Sequence, residues 1–154
     1  MRLSIIMTFL VSSLLTFAQE NIEFQYTMKR DSVDSSLIRI EAKIINRANE
    51  KIYFLSESCN GLDYYLKTNV SNIEPYIMIH CNASYPRKIK INPRSEYIFH
   101  SLIRDEKELK EIGLTLTFVQ LNSTTKVEGR SINEIKKEYL NQTLNLKGKM
   151  VELK

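Results

Sequence analysis

The chain has no tryptophan, two cysteines, three prolines and four glycines among 154 residues. So few glycines and prolines exclude collagen-like repeats and linker-like low complexity. Neither sign of charge dominates: 22 Lys and Arg stand against 18 Asp and Glu, a formal net charge of +4. That excess is too small and too interspersed to argue for nucleic acid. A hydrophobic content of 43% with balanced charge excludes an intrinsically disordered tail. Every hydrophobic run after Gln19 breaks within a few residues, so none there is long enough to span a bilayer as a helix. No internal repeat or linker divides the chain, and its length suits one domain.

Catalytic signatures are also missing. The chain has no Gly-x-Ser-x-Gly elbow, no His-Glu-x-x-His, no phosphate-binding glycine loop and no dinucleotide fingerprint. No catalytic residue, cofactor or metal is therefore expected. With His80 and His100 as the only histidines, a serine–histidine–aspartate arrangement stays arithmetically possible, which leaves a small secreted hydrolase as an alternative. Both histidines read more simply as surface or strand-edge residues.

What is present begins with an export signal. Arg2 supplies the charged start, Leu3 to Phe17 is an uncharged and largely apolar run, and Thr16-Phe17-Ala18 places small residues where a signal peptidase inspects them. A retained anchor fits less well, because the run falls short of about twenty apolar residues and contains Ser4, Ser12 and Ser13. Residues 1–18 are thus expected to leave as a signal peptide, with a mature chain from Gln19 that does not span a membrane. The destination is secreted or periplasmic. No Cys follows the cleavage point, which argues against a lipoprotein anchor.

Export gives the cysteines a meaning. Cys59 and Cys81 are an even pair in an exported chain, so one disulfide is the default reading. The alternative is a metal site of Cys59, Cys81, His80 and His100. Zinc-type spacing is absent, and the adjacent His80 and Cys81 would point to opposite faces of a strand.

Period-two alternation runs through residues 19–154. Ile22, Phe24, Tyr26 and Met28 form one apolar face, and Ile38, Ile40, Ala42 and Ile44 another, each interleaved with polar residues. Further strands are expected at Lys51 to Ser56, Leu62 to Thr68, Tyr76 to Cys81, around Ile89 and Ile91, from Tyr97 to Ile103, and at Leu114 to Phe118. Cys59-Asn60-Gly61 reads as a tight turn, since Asn-Gly tolerates positive φ. Arg104 to Glu111, dense in charge, reads as a solvated or helical turn. One helix is expected: Ser131 and Glu134 fit a capping box, and Ile132, Ile135 and Tyr139 share a face. A last strand pair or extended segment is expected from Leu144 to Leu153, where Lys147-Gly148-Lys149 offers a bend.

Eight or nine short strands with frequent turns predict an all-β, Ig-like β-sandwich over residues 19–154, with one helix in a late connection. A small lipocalin-like barrel is the structural alternative. The stretch from Ile38 to Phe118 resembles small exported Bacteroidetes-type proteins of unknown function with an Ig-like fold. The carriers are Ile44-Ile45-Asn46 with Phe54-Leu55, Ser58-Cys59-Asn60-Gly61, His80-Cys81-Asn82, and Ile91-Asn92-Pro93 ahead of Tyr97. Its N-terminal half is also similar to BsuPI-type proteinase inhibitor domains, although Pro93-Arg94-Ser95-Glu96 stands where those have Pro-Gly-Glu. These resemblances imply the sandwich, and the second implies inhibition as an alternative function, for which Asn82 to Arg87 is the candidate loop.

The leading functional expectation is a non-catalytic binding module. Tyr53, Tyr64, Tyr65, Tyr76 and Tyr85 cluster around the cysteine pair, and exposed tyrosine supplies large contact area at low entropic cost. The competing reading is that they simply pack within and along the strands. Arg87, Lys88, Lys90 and Arg94 form a basic cluster suited to an acidic protein or an anionic polysaccharide, or to a strand edge protected from aggregation. Asn-x-Ser/Thr sequons at Asn69, Asn82, Asn122 and Asn141 read as accidents of an Asn-rich composition. Asp31-Ser32-Val33 resembles a short bacterial O-glycosylation motif.

Overall fold

A computed structural model describes residues 21–71, 73–77, 81, 83–105 and 109–153. The signal-peptide reading, His80 and the sequon at Asn82 lie outside the described residues. Ten strands run antiparallel: β1 (Ile22–Arg30), β2 (Leu37–Asn46), β3 (Ile52–Glu57), β4 (Leu66–Thr68), β5 (Pro86–Ile91), β6 (Glu96–Arg104), β7 (Glu111–Ile112), β8 (Leu114–Leu121), β9 (Thr143–Lys147) and β10 (Val151–Glu152). Among the described residues the one α-helix, α1 (Ile132–Glu138), lies between β8 and β9. The strands do not close into a barrel. The first sheet has the order β1-β2-β6, the second has β4-β8-β3-β5 with β9 on β8, and β7 pairs with β10.

The first sheet follows its sequence pattern directly. Ile22, Phe24 and Tyr26 of β1 oppose Asn46, Ile44 and Ala42 of β2, and Phe99 and Ile103 of β6 complete the inner face. Its other face carries Lys29, Arg39, Glu41, Glu96, Ile98, His100 and Arg104, all exposed. The second sheet meets the first through Phe54, whose ring lies 5.4 Å from Tyr97 and 5.1 Å from Phe118.

Strand alternation turns Leu55 away from that interface, yet it is only 1% exposed. The connection between β8 and β9 covers it. Lys88, directly opposite Leu55, donates from Nζ to the carbonyls of Ser123 (3.0 Å) and Thr125 (2.6 Å). Ile135 at 0% and Tyr139 at 6% exposure are the apolar anchors of α1. The expected capping box closes its N-terminus, with the Ser131 side chain accepting from the Glu134 N–H and Glu134 accepting from the Ser131 N–H.

Three local expectations are corrected. Leu62 to Thr68 is not one strand: Asp63–Tyr65 forms a 3-10 turn, and only Leu66–Thr68 pairs with β8. The preceding Asn60 and Gly61 have φ of 58° and 53°, the left-handed turn expected of Asn-Gly, and this re-aims the chain. The charged segment from Arg104 is not simply solvated either. Asp105 is 2% exposed, and its carboxylate accepts from the Arg30 guanidinium (2.8 Å) and the Leu109 N–H (2.9 Å). Glu111–Ile112 is then a strand; residues 106–108 lie outside the described residues. Of the segment Tyr76 to Cys81, Tyr76 and Ile77 are not strand, but the Tyr76 N–H bonds the Leu102 carbonyl beside β6 (2.6 Å).

Candidate functional site

Cys59 and Cys81 form a disulfide with Cα atoms 6.4 Å apart, within the usual range for such a bond. It fastens the turn after β3 to the loop before β5. Hydrogen bonds lace the same two segments together. The Ser58 N–H bonds the Tyr85 carbonyl (2.8 Å), the Tyr85 N–H bonds Ser58 Oγ (2.9 Å), and the Cys59 N–H reaches Ser84 Oγ (3.4 Å). Tyr85 therefore has both backbone polar groups clamped while its side chain is 68% exposed. Tyr64, on the turn that follows the disulfide, is 52% exposed. These two tyrosines present apolar rings to solvent from segments that the crosslink holds in place.

The other three tyrosines lie elsewhere. Tyr65 is 2% exposed, with the Lys136 ammonium of α1 4.2 Å from its ring centroid, and it belongs to the core. Burial, and after it the neighbouring Glu57 carboxylate, push its phenol well above the ordinary range. Tyr53 is half-buried on β3, with the Lys88 ammonium 5.6 Å from its ring centroid. Tyr76 is half-buried beside β6, its ring 4.3 Å from the Arg104 guanidinium. The clustering of five tyrosines in sequence thus resolves into two at the disulfide-bound segments and three in packing roles.

The basic cluster divides similarly. Arg87 and Lys90 are exposed on β5. Lys88 spends its ammonium on the Ser123 and Thr125 carbonyls, and so fixes the connection over Leu55. Arg94 sits at positive φ in the β5–β6 turn, and its guanidinium donates to Asn49 Oδ1 (2.9 and 3.1 Å). Its neighbourhood is the β2–β3 turn, not the tyrosine-bearing loops.

Polar groups that sequence reading passed over are concentrated near the same end. Glu57 is 7% exposed and lies 3.5 Å from the Lys136 ammonium. Burial raises the Asp63 carboxyl, against an opposing pull from the Ser101 hydroxyl. A run of three residues such as Asp63-Tyr64-Tyr65 carries no sign of which side chain turns inward, because the 3-10 turn breaks strand alternation. His100 lies on the open face of the first sheet, with Nε2 3.5 Å from Glu41 Oε2. Among the described residues no hydroxyl group hydrogen-bonds it. Also among them, no three His, Cys, Asp or Glu side chains converge as a metal site would require.

The fold and site together define an all-β, disulfide-crosslinked sandwich with an aromatic surface at its crosslinked loops. Compared with known proteins, the sequence matches no family model and no curated protein.

Proposed function

We propose that residues 19–154 form an exported, Ig-like, non-catalytic interaction module that binds a protein or polysaccharide through its disulfide-tied loops. The observation that carries this reading is the exposure of Tyr64 and Tyr85 on segments fastened by the crosslink and by the Ser58–Tyr85 hydrogen bonds. An aromatic side chain on an immobile loop loses little entropy on binding, so its apolar area converts efficiently into affinity. Arg87, two residues from Tyr85 and also exposed, adds a cation for an acidic partner.

Two features support the setting. A disulfide persists in an oxidising compartment, as expected of a chain exported by its first eighteen residues. The grouping of β1, β2 and β6 against β3, β8 and β9 corresponds to immunoglobulin strands A, B and E against C, F and G, with β5 beside β3. N-terminal sequencing of the exported protein is expected to be blocked or to start at Gln19; an intact Met1 contradicts export.

The binding test compares the wild type with Tyr64→Ala/Tyr85→Ala on arrays of exported proteins and polysaccharides from the source organism. A ligand retained by the wild type and by Ile98→Ala, but lost by the double variant, supports the reading. Binding that survives the double variant places the contact elsewhere and removes it. A second reading, proteinase inhibition, is favoured by the clamped backbone and exposed side chain of Tyr85, since inhibitory loops act by resisting deformation in a protease cleft. Failure to inhibit any serine or cysteine protease in a broad panel discards it.

A further inference from the structure

β1 is an edge strand: among the described residues only β2 pairs with it, while β9 and Gly148 pack alongside its inner face without hydrogen-bonding its outer edge. The Arg47 N–H donates to the Asn21 carbonyl (2.7 Å), just beyond the Ile22–Asn46 pair. That hydrogen bond sets the parity of the ladder: odd-numbered residues bond β2, while Ile22, Phe24, Tyr26 and Met28 turn their N–H and C=O groups away from it. Among the described residues nothing hydrogen-bonds those outward groups. Beside Ile22 to Tyr26 runs an open groove of about 880 Å³, walled on its far side by Asn145, Leu146 and Lys147.

The side chains of β1 are self-complementary. We infer that the outer edge of β1 pairs antiparallel with β1 of a second copy of this chain, centred on Tyr26 opposite Tyr26, joining two three-stranded sheets into one of six. In this register Phe24 faces Met28 of the second copy on the apolar side, and Glu23 faces Lys29 of the second copy on the solvent side, twice by symmetry. The outward parity of Tyr26 makes it a hydrogen-bonded pair. The Glu23–Lys29 pairs then fall at non-hydrogen-bonded positions, where opposed side chains approach most closely. Moving the centre to Gln25 puts Glu23 opposite Thr27. Moving it to Thr27 sets Glu23 against Asp31, a like-charge contact. Centring on Tyr26 engages the whole strand with Glu23 and Lys29 matched, and it leaves Arg30, already paired with Asp105 of its own chain, opposite Ile22.

Both charged groups are placed for this contact. The Glu23 carboxylate is held on the solvent face by Arg47 (2.7 Å) and by the Gln25 amide. Lys29 sits directly opposite Arg39 in the β1–β2 ladder, a like-charge pair. Arg39 is itself engaged by Asp31, and among the described residues no carboxylate lies within 4.0 Å of the Lys29 ammonium. A carboxylate from a second copy relieves that repulsion. This contact is separate from the tyrosine-bearing loops and does not depend on them.

Sedimentation equilibrium on the mature protein, read alongside thermal melts that confirm folding, tests the inference. A concentration-dependent dimer is expected. Lys29→Glu alone and Glu23→Lys alone each create two like-charge contacts, and each is expected to weaken dimerisation roughly tenfold or more. Equal mixing of the two variants again places opposite charges at both positions, so association returns to the wild-type level in a mixed dimer. Misfolding cannot produce that rescue. A wild type that stays monomeric at millimolar concentration, a dimer indifferent to both reversals, or a mixture that does not reassociate overturns the inference.

Discussion

The two sheets are built from the same strand chemistry but sit in different surroundings. The first has one buried and one wet face, so its strands alternate cleanly: Ile38, Ile40, Ala42 and Ile44 are buried, while Arg39 and Glu41 are exposed. The second is covered on both sides where the β8–β9 connection lies over it, while Lys67, Asn145 and Lys147 at its other end stay exposed. In β8, Phe118 and Val119 are adjacent and both 2% exposed, one facing the opposite sheet and the other away from it. Sheets wet on one side read as alternation, whereas doubly covered strands read as near-continuous apolar runs. The difference shows that the β8–β9 connection, with α1, acts as a third layer over half of the molecule.

The largest test of that contrast is Ile135→Ala. This side chain is fully buried where α1 covers the second sheet, and its truncation is expected to cost about 3 kcal/mol in urea unfolding. The same experiment on Ile98→Ala, 49% exposed on the open face of the first sheet, is expected to shift stability by less than about 0.5 kcal/mol. Equal losses would show that the open face is covered in solution.

Replacing both cysteines by serine is expected to remove roughly 3 kcal/mol, because the crosslink restricts the unfolded chain over a separation of 22 residues. A loss near zero would mean that hydrogen bonds from Ser58 and Ser84 suffice to hold that end. Ser131→Ala is smaller still. It deletes the capping box that starts the third layer and is expected to cost about 1 kcal/mol.

The mildest expected effect belongs to the first sheet. Asp31 closes the β1–β2 turn by accepting from the N–H groups of Asp34 and Val33, which with Arg39 hold its carboxyl below the usual range. A carboxyl depressed in the folded state stabilises above its unfolded pKa and loses that contribution as pH falls through the folded value. Unfolding midpoints against pH are therefore expected to drop on the acid side, and Asp31→Asn to flatten that drop. An unchanged acid limb would remove Asp31 from the account.

Legibility followed the same division. The alternation in β1, β2, β6 and the first half of β8, the capping box of α1 and the Asn60-Gly61 turn were readable because each depends on neighbouring residues alone. The 3-10 turn at Asp63–Tyr65 was not, since its three residues carry strand-like spacing, whereas the chain enters from the left-handed Asn60-Gly61 turn and Tyr65 packs under Lys136 of α1. The burial of Asp105 was equally hidden, because its partner Arg30 lies 75 positions away. For the candidate site, the crosslinked pair was legible as the chain's two cysteines, an even pair behind a signal-like N-terminal pattern. Which tyrosines face solvent was not, because aromatic residues serve cores and surfaces equally well.

By itself the sequence determined an all-β fold, its strand faces, the capped helix before β9 and the pairing of Cys59 with Cys81. These rest on periodicity, local hydrogen bonding and the scarcity of cysteine. Only the tertiary structure decided that α1 covers the second sheet, that Lys88 serves as a clamp, and that Tyr64 and Tyr85 emerge while Tyr65 is enclosed. Each of those depends on groups brought together from distant parts of the chain, which no local pattern records.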